Sequence, residues 1–497
     1  MVRTILPRFE VRRRSAYSDV TADVIVFKDG DYAVAVDGKT KEVISRSTDH
    51  SSVIQAAIDY TNKYKVFIAK SSTEYEIKSP IQLKDDVIIE SDGAILKKVV
   101  DFDPITIEGV TKGFVLGGKA DNVIIRGLVV DGNKTAFGMD PLDSSKASLA
   151  GRHNGIWIRR SSNILIENCV VKECGGPGIV IEPGIKNIVI HNNKVLNCNS
   201  AGIAVGSGWD IDFDIAEYFP ENVIITNNII ENDVMPVLDY TGNSIHVGGK
   251  PLNVIIANNY CKNPNDYGIE VEIPQNYDGG KGYRIVIANN VVYNARNKGI
   301  SISNRPPEVG GSSELYHFTI VGNIVERVVE NPVSGSGHGI QIYLTAHGLV
   351  VGNVVRNTYA GGIYATGSSA ISIVGNAIRN CGHGIELGAG SSVVVGNKIV
   401  SISVYGIYVN GNYNVIKGNQ LELISGKGIF IAGKQYNAIV GNVILDSRSP
   451  AVMEHGVYED TGSDYNIIVE NIVKGYSTAG IATVGVNTIK TNNIEAT

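Results

Sequence analysis

The sequence is short of cysteine, of basic charge and of long apolar runs, and each shortage excludes a class of protein. Five cysteines among 497 residues are too few for a fold that is held by disulfide bonds. A net charge of −6 gives no electrostatic reason to bind nucleic acid, which favours basic proteins. No stretch approaches the roughly 20 apolar residues of a membrane-spanning helix. We therefore expect neither a nucleic-acid partner nor a membrane span.

The N-terminus lacks the apolar segment of a secretory signal. Its first residues, MVRTILPRFEVRRRS, are basic instead. We treat residues 1–48 as a lead-in segment, whose arginines form either a solvated tail or an attachment to a partner. The location of the protein stays open at this point, because an unusual export route leaves no recognisable signal.

The chain is rich in one repeated phrase, a short apolar strand that ends in asparagine. VIITNN, VIIANN, FTIVGN and NAIVGN are examples, and the intervals between final asparagines run from 21 to 35 residues. Repeats at this period predict a solenoid. An inward asparagine in every coil would hydrogen-bond to the neighbouring turns, so we assign this asparagine ladder a structural role. Aligned on the last asparagine of each phrase, the ladder consists of Asn168, Asn193, Asn228, Asn259, Asn290, Asn323, Asn353, Asn376, Asn397, Asn419, Asn442, Asn471 and Asn492.

Each coil has a second half that opens with Gly-Ile, as in GIVIE, GIEVE and GIQIY. Strict alternation places the isoleucine and the residue two further on inside the coil, and the residue between them outside. Coils of about 22 residues with short strands and tight turns predict a parallel β-helix. The solenoid would run over residues 49–497.

A helix should cover the N-terminal end of this rod. The segment TDHSSVIQAAIDY can begin with Thr48 or Asp49 as its cap, and one face of it is apolar. An uncovered end would expose unpaired strand edges. The apolar face consists of Val53, Ile54, Ala57 and Ile58.

These phrases carry a family resemblance. TDHSSVIQAAIDY, the VVDGN coil and the repeated VxGN and GIxI phrases resemble the right-handed parallel β-helix proteins of the pectate-lyase-like superfamily, over about residues 45–495. The resemblance implies an all-β, single-stranded right-handed β-helix with an N-terminal capping helix. That superfamily includes lyases, hydrolases, epimerases, viral tailspikes and non-catalytic proteins, so the resemblance implies no single activity.

The intervals between repeats place the site in the middle of the rod. Most of the long intervals fall between about residues 133 and 339, whereas the coils from 345 onward are nearly regular. A closed coil has no structural need of such insertions. Loops that project from neighbouring coils can wall a groove. We therefore expect the functional site in the middle coils.

The outward positions of the Gly-Ile strands include a cluster of ionisable residues in this region. His246 and Glu270 would be direct neighbours if the coils are in register, and Glu270 and Glu272 lie two residues apart on one face. Their Cα atoms would be roughly 6.6–7 Å apart. Two carboxyl groups at such a separation can act as acid and base in glycoside cleavage by inversion. The alternative is a solvent-exposed glutamate pair on a strand face.

Further candidates lie around this cluster. His338 stands in a GHG phrase, which resembles one motif of polygalacturonase-type hydrolases, although the other motifs of that family are absent. We list His338 as a catalytic candidate and Lys250, Arg305, Tyr343 and Arg159 as candidates for substrate binding. The cations would hold the carboxylate or sulfate of an acidic polysaccharide. The alternatives are loop cations and ordinary packing of the aromatic rings.

We expect no cofactor, and calcium is the metal that the sequence leaves open. Asp210, Asp212 and Asp214 alternate in the longest loop, and alternate aspartates can hold calcium through oxygen ligands. The phrase lacks the glycine and the distal glutamate of an EF-hand. Cys174 and Cys198 would stack in neighbouring coils, as two buried thiols or as a disulfide.

The sequence thus favours a polysaccharide-active enzyme that works in a groove along the rod, as a hydrolase ahead of a lyase or an epimerase. The alternative is a non-catalytic glycan-binding rod, such as a viral spike, a surface appendage or an adhesin. Proteins of this class favour an extracellular or virion location. We expect a monomer or a homotrimer.

Overall fold

The chain forms a rod of stacked coils in the computed structural model, which describes residues 21–60, 65–102, 105–107, 110–139, 153–182, 184–206, 220–234, 242–273, 281–304, 314–331 and 335–497. Each regular coil carries three strands joined by short turns. Each strand pairs in parallel with the strand of the same kind in the next coil. The predicted parallel β-helix is confirmed.

Three parallel sheets run along the rod, and we number the strands β1–β50 in chain order. Sheet A contains the Gly-Ile strands, namely β6 (Ile81–Gln82), β11 (Phe114–Gly118), β14 (Asn154–Arg159), β17 (Ile179–Glu182), β20 (Ile203–Val205), β23 (Ile245–Gly248), β26 (Tyr267–Ile273), β29 (Lys298–Asn304), β32 (His338–Tyr343), β39 (Tyr405–Val409), β42 (Lys427–Ile431), β45 (His455–Glu459) and β48 (Ala479–Ala482). Sheet B precedes the asparagine ladder and contains β4 (Lys65–Ile68), β7 (Ile88–Ser91), β12 (Val123–Arg126), β15 (Ser162–Glu167), β18 (Lys186–His191), β21 (Glu221–Thr226), β24 (Leu252–Ala257), β27 (Lys281–Ala288), β30 (Glu314–Val321), β33 (Ala346–Val351), β35 (Ser372–Val374), β37 (Val393–Val395), β40 (Val415–Lys417), β43 (Ala438–Val440), β46 (Ile467–Val469) and β49 (Ile489–Thr491).

Sheet C follows the ladder and contains β5 (Tyr75–Ile77), β8 (Ile95–Lys98), β13 (Val129–Asp131), β16 (Val170–Lys172), β19 (Lys194–Leu196), β22 (Ile229–Glu231), β25 (Tyr260–Lys262), β28 (Val291–Ala295), β31 (Ile324–Val328), β38 (Lys398–Ile402), β41 (Gln420–Ile424), β44 (Val443–Leu445), β47 (Ile472–Lys474) and β50 (Ile494–Ala496). Two long strands run through sheet C into sheet A, β34 (Val354–Ser369) and β36 (Ala377–Gly390). A small hairpin, β9 (Ile105–Ile107) with β10 (Val110–Lys112), and a 3-10 turn at Lys134–Phe137 lie outside the three sheets.

The N-terminal end of the rod is covered, as the sequence predicts. An antiparallel meander of β1 (Val24–Asp29), β2 (Tyr32–Asp37) and β3 (Val43–Ser47) joins the rod because β1 pairs in parallel with β4. Helix α1 (His50–Tyr60) packs against this meander with its predicted apolar face buried. The carboxylate of Asp49 accepts a hydrogen bond from the backbone N–H of Ser51 at 3.2 Å, which satisfies one donor of the first turn. No helix among the described residues is long and apolar enough to cross a membrane.

The division of the chain at residue 48 stays a prediction. The arginines of the lead-in segment fall within residues 1–20, outside the described residues, as do large parts of the predicted insertions between 133 and 339. The described residues 21–48 pack against α1 and the first coil.

The asparagine ladder is a continuous chain of buried hydrogen bonds. The side-chain oxygen of Asn290 accepts bonds from the backbone N–H and the amide group of Asn259, at 2.9 and 3.0 Å. The amide group of Asn259 also donates to the carbonyl of Ile225 at 2.9 Å. The same pattern repeats from Asn193 to Asn471. Buried polar groups are thereby satisfied coil after coil, which confirms the structural role.

The predicted alignment is wrong at the two ends of the ladder. Asn168 has a positive φ of 56° and accepts from the amide group of Asn192 on the exposed side of the turn. Cys169 occupies the ladder position instead, and its N–H donates to Asn193. At the other end Asn493, not Asn492, bonds to the ladder, because Asn492 is the residue with positive φ. In both places the turn residue and the ladder residue are adjacent, so the sequence pattern does not separate them.

The interior of the rod is filled by valine and isoleucine from all three sheets. The alternation in the Gly-Ile strands is as predicted, since Ile245 and Val247 are fully buried in the core on either side of His246. Cys174 and Cys198 are buried free thiols, so the disulfide alternative is not realised.

Candidate functional site

The outward positions of sheet A form one continuous row along the rod. Strand register aligns these side chains coil by coil, and His246 pairs directly with Glu270 as the sequence predicts. We call this set the outward row. In order it contains Gly117, Trp157, Val180, Ala204, His246, Glu270, Ser301, Gln341, Tyr364, Glu386, Tyr408, Phe430 and Tyr458.

His246, Glu270 and Glu272 meet at one point of this face, and we call them the triad. The ring nitrogen Nε2 of His246 lies 3.2 Å from Oε1 of Glu272 and 3.9 Å from Oε2 of Glu270. Strands β23 and β26 position them, because His246 stands opposite Glu270 and Gly248 stands opposite Glu272. Gly248 thus presents no side chain at the position that pairs with Glu272.

The triad is buried, so the solvent-exposed alternative for the glutamate pair is wrong. The exposed fraction is 2% for His246, 3% for Glu270 and 8% for Glu272. Two carboxylates that are close together repel each other when both are ionised, and burial increases that cost. A shared proton, or a cation, therefore lowers the energy of the cluster.

The carboxyl groups are closer together than the sequence argument assumed. One ligand atom from each of the three side chains lies within 4.8 Å of the others. Inverting glycosidases keep their carboxyl groups roughly 6.5–9.5 Å apart to admit water, whereas retaining enzymes keep them about 5–5.5 Å apart. The geometry is therefore nearer to that of a retaining pair, because both glutamates turn towards His246.

Asn243 orients Glu270 and was missed from the sequence. Its amide group donates to Oε2 of Glu270 at 2.8 Å, while its own oxygen accepts from the backbone N–H of Tyr267 at 3.1 Å. The second bond fixes which end of the amide faces the carboxylate. The available signal was the phrase NSIHV, where an asparagine stands directly before a Gly-Ile-type strand with serine in place of glycine.

A buried polar network borders the triad at the start of strands β26 and β29. The ammonium of Lys298 donates to Oδ1 of Asn297 at 3.0 Å and to the hydroxyl of Tyr267 at 3.3 Å. The amide group of Asn297 donates to Asp266 at 2.7 Å. These bonds stiffen the edge of the site and supply a positive charge beside it.

The triad also has the donor set of a metal site. One imidazole nitrogen and two carboxylate oxygens suit a transition metal such as zinc or manganese better than calcium, which prefers oxygen ligands alone. Among the described residues, this is the one group of three such ligands. The calcium candidates Asp210, Asp212 and Asp214 lie outside the described residues, so calcium binding there stays a prediction.

Three of the four predicted substrate-binding residues lie in the described part of the chain, and they belong to different coils. Lys250 is buried in the same coil as His246, with an exposed fraction of 8%. Arg159 is fully buried beside Glu182, several coils towards the N-terminus. Tyr343 is half-buried, two coils towards the C-terminus from Glu272. Arg305 lies outside the described residues.

His338 also lies apart from the triad. Its ring stacks on Tyr364, with 4.5 Å between ring centroids. Burial lowers the pKa of His338 to about 4, and the positive charge of Lys298 and the nearby His383 add to this effect. The imidazole is therefore neutral at pH 7, and it belongs to a second group of residues around Glu386.

Glu386 is the second residue that sequence reasoning passed over. It stands in the outward row between Tyr364 and Tyr408. Burial raises its pKa from 4.5 to about 7. The signal was present in the sequence, since Glu386 is an acid in an otherwise aromatic stretch of outward positions.

Two family models match the chain. The model of a right-handed β-helix region matches residues 18–217 and 212–378, which is more than half of the chain. The chain therefore belongs to the right-handed β-helix family. The model of the periplasmic copper-binding protein NosD matches residues 313–497, a segment that does not contain the triad. No curated protein sequence matches the chain.

Solved structures share the fold at low identity. Gene product 12 of bacteriophage phi29, in its pre-mature form, has a TM-score of 0.54 at 16% identity over 88% of this chain and 55% of that chain. The tailspike of E. coli bacteriophage HK620, solved with a pentasaccharide, has a TM-score of 0.49 at 13% identity over 88% and 76%. The A-module of the mannuronan C-5 epimerase AlgE6 of Azotobacter vinelandii has a TM-score of 0.36 at 16% identity over 90% and 95%. At such identities the likeness shows the fold alone.

Proposed function

We propose that the protein is a polysaccharide-active enzyme whose reacting centre is the triad. The observation that carries this proposal is the buried contact of His246 with both carboxyl groups. Burial of a like-charged pair against an imidazole is costly for a purely structural element, which supports a functional role for the triad.

The roles of the two glutamates follow from their partners. The hydrogen bond from Asn243 favours the ionised form of Glu270, which suits a nucleophile or a stabiliser of positive charge. Glu272 is the more exposed of the two and contacts the imidazole, which suits a group that gives and takes a proton. Glu272 would protonate the glycosidic oxygen while Glu270 attacks the anomeric carbon. Water would then release the sugar, with Glu272 as the base.

Hydrolysis is the preferred reaction, and elimination and epimerisation are the alternatives within the same site. In a β-elimination, a basic residue such as His246 would abstract the proton next to a uronate carboxyl group. An acidic substrate is supported by two cations, Lys250 in the coil of His246 and Lys298 at the edge of the site. The HK620 tailspike was solved with a pentasaccharide, and the same class of ligand is proposed for this chain.

A non-catalytic glycan-binding rod is the second candidate. It is favoured by the half-buried aromatic side chains that continue the outward row beyond residue 364. Aromatic faces stack on sugar rings without any need for catalytic groups. In such a rod the triad would be an inert buried cluster.

The test is incubation of the full chain with a panel of acidic and neutral polysaccharides. New reducing ends without unsaturated products indicate hydrolysis, and unsaturated uronate products indicate elimination. A change in uronate stereochemistry without cleavage indicates epimerisation. Tight binding with none of these products would overturn the catalytic proposal and support the rod.

A further inference from the structure

The outward row contains a second group of ionisable side chains, four coils towards the C-terminus from Glu270. Glu270, Ser301, Gln341, Tyr364 and Glu386 occupy successive coils, so Glu386 lies about 19 Å along the rod from Glu270 at the usual strand spacing. The triad and this second group are therefore separate sites on one face.

Two aromatic rings and a histidine surround the Glu386 carboxyl group. Strand pairing places Tyr364 on one side of Glu386 and Tyr408 on the other. All three side chains are half-buried, so each keeps part of its surface open to solvent. The imidazole of His338 stacks on the Tyr364 ring at 4.5 Å.

Gly361 creates a small space where the polar atoms converge. A Cβ atom at Gly361 would lie 2.8 Å from Nδ1 of His338 and 3.2 Å from Oε1 of Glu386. Both polar atoms thus border the same point above the backbone of β34. Any side chain at residue 361 would displace them.

Two polar groups at this point, the Glu386 carboxyl group and Nδ1 of His338, lack a hydrogen-bond partner among the described residues. In the part of the chain that the structure describes, Glu386 takes part in no hydrogen bond or ion pair, and Nδ1 of His338 is a buried ring nitrogen without a hydrogen-bond partner. Buried polar groups are almost always hydrogen-bonded, and exceptions commonly mark a functional site. In the triad, by comparison, Nε2 of His246 lies within hydrogen-bond distance of Oε1 of Glu272, at 3.2 Å.

We propose that Glu386, His338 and Gly361 form a carbohydrate-binding site, separate from the triad, that holds an uncharged sugar between the rings of Tyr364 and Tyr408. The Glu386 carboxyl group donates a hydrogen bond to a sugar hydroxyl in its acid form. Nδ1 of His338 accepts a hydrogen bond from another hydroxyl. This site goes beyond the proposed reaction, because binding here requires no chemistry at the triad.

The electrostatic surroundings favour an uncharged ligand over an acidic one. The groups that face Glu386 from the packed strands are His338, Tyr364, His383, Tyr405 and Tyr408. Burial lowers the pKa of His338 and of His383, so both imidazoles are neutral at pH 7. No cation faces the carboxyl group from these strands to attract a sugar carboxylate, and burial holds its pKa near 7.

The experiment measures binding of a neutral gluco-oligosaccharide and of an oligogalacturonate by calorimetry at pH 6 and pH 8. The wild-type chain should bind the neutral oligosaccharide about tenfold more weakly at pH 8, because Glu386 loses its proton between these values. The Glu386→Gln variant, which mimics the protonated carboxyl group, should bind equally at both values. Oligogalacturonate should bind less tightly than the neutral ligand at this site.

Three further variants make the result specific. Glu386→Ala should lose about tenfold in affinity at both pH values, and Gly361→Ala should do the same because the added methyl group displaces both polar atoms. Tyr413→Ala is the matched control, since Tyr413 belongs to an exposed tyrosine stack outside the outward row. Thermal unfolding checks that each variant is folded.

Three results would overturn the proposal: equal wild-type affinity at pH 6 and pH 8, an unchanged affinity of Glu386→Ala, or a loss of affinity in Tyr413→Ala. None of these depends on turnover. If the chain binds the neutral oligosaccharide in this pH-dependent way but acts on no polysaccharide, the proposed reaction is wrong and the proposed binding site is supported.

Discussion

The middle coils of the rod, residues 244–304, and the C-terminal coils, residues 338–459, present different outward faces on the same scaffold. In the middle coils, sheet A carries the buried triad and two serines. In the C-terminal coils, the outward row becomes aromatic and half-buried from Tyr364 to Tyr458. The ladder and the aliphatic core continue through both regions unchanged. The two regions thus share their backbone positions and differ in the side chains of the outward face.

The aromatic face of the C-terminal coils is continuous. Ring centroids are 5.4 Å apart between Tyr408 and Phe430 and 5.6 Å apart between Phe430 and Tyr458. The ammonium of Lys427 lies over the rings of Phe430 and Tyr458 and pairs with Glu454 at 3.0 Å. We interpret this region as a surface for holding a sugar chain, and the middle coils as the place where the chain is changed.

The largest expected effect comes from the middle coils. Glu270→Gln should lower kcat by about 10²–10⁴-fold, because the amide cannot act as a carboxylate in the reaction. The measurement is the initial rate of product release on whichever polysaccharide of the panel is active. Glu422→Gln, on sheet C in the C-terminal coils, is the matched control and should keep the wild-type rate. Wild-type turnover in Glu270→Gln would remove this residue from the reaction.

The scaffold should respond equally in both regions. Asn259→Ala and Asn419→Ala each leave the N–H of the preceding ladder asparagine without its buried acceptor. Each should lower the free energy of unfolding by about 1–3 kcal/mol. Thermal or denaturant unfolding measures this. Asn253→Gly is the control, because it removes an exposed asparagine side chain at a position with a φ of 55°, which glycine adopts without strain. A much larger loss in one region would contradict the view that the two share one scaffold.

A transition metal should affect the two regions differently, because it should inhibit turnover at the triad and leave sugar binding in the C-terminal coils unchanged. Zinc that occupies His246, Glu270 and Glu272 would remove the acid and the base together. Added Zn²⁺ should therefore inhibit turnover, and a chelator should restore it. Binding of the neutral oligosaccharide in the C-terminal coils should not change. If Zn²⁺ activates turnover instead, the triad binds a catalytic metal ion, and the roles assigned to Glu270 and Glu272 are wrong.

The smallest expected effect is on the pH dependence of stability. The folded chain keeps the Glu386 proton up to about pH 7, whereas the unfolded chain loses it near pH 4.5, so this group lowers stability as the pH rises through that range. His338 acts in the opposite direction, because its folded pKa near 4 lowers stability as the pH falls below 6.5. Glu386→Gln should therefore raise stability at pH 8 by roughly 1 kcal/mol, after allowance for partial solvent screening, and by nothing near pH 4. If the wild-type chain and Glu386→Gln have equal unfolding curves at pH 8, burial does not raise the pKa of Glu386.

The sequence predicts the scaffold well and the site incompletely, for a physical reason. The period of the repeats and the strict alternation determine the coil, the register and the pairing of His246 with Glu270. They do not determine side-chain rotamers, so the turn of Glu270 and Glu272 towards His246, and their separation, were not predictable. Nor does alternation report burial, which for the triad depends on what covers the outward face. The sequence did not identify Asn243 as a site residue for the same reason, because its role depends on a single hydrogen bond to Glu270.

The most direct test of this division between chemistry and binding is a side-by-side kinetic comparison of Glu272→Gln and Tyr408→Ala on the same polysaccharide. Glu272→Gln should lower kcat by at least about 100-fold with little change in KM. Tyr408→Ala should raise KM with little change in kcat, because the ring only holds the sugar chain. A loss of kcat in Tyr408→Ala together with wild-type kcat in Glu272→Gln would contradict this division of roles.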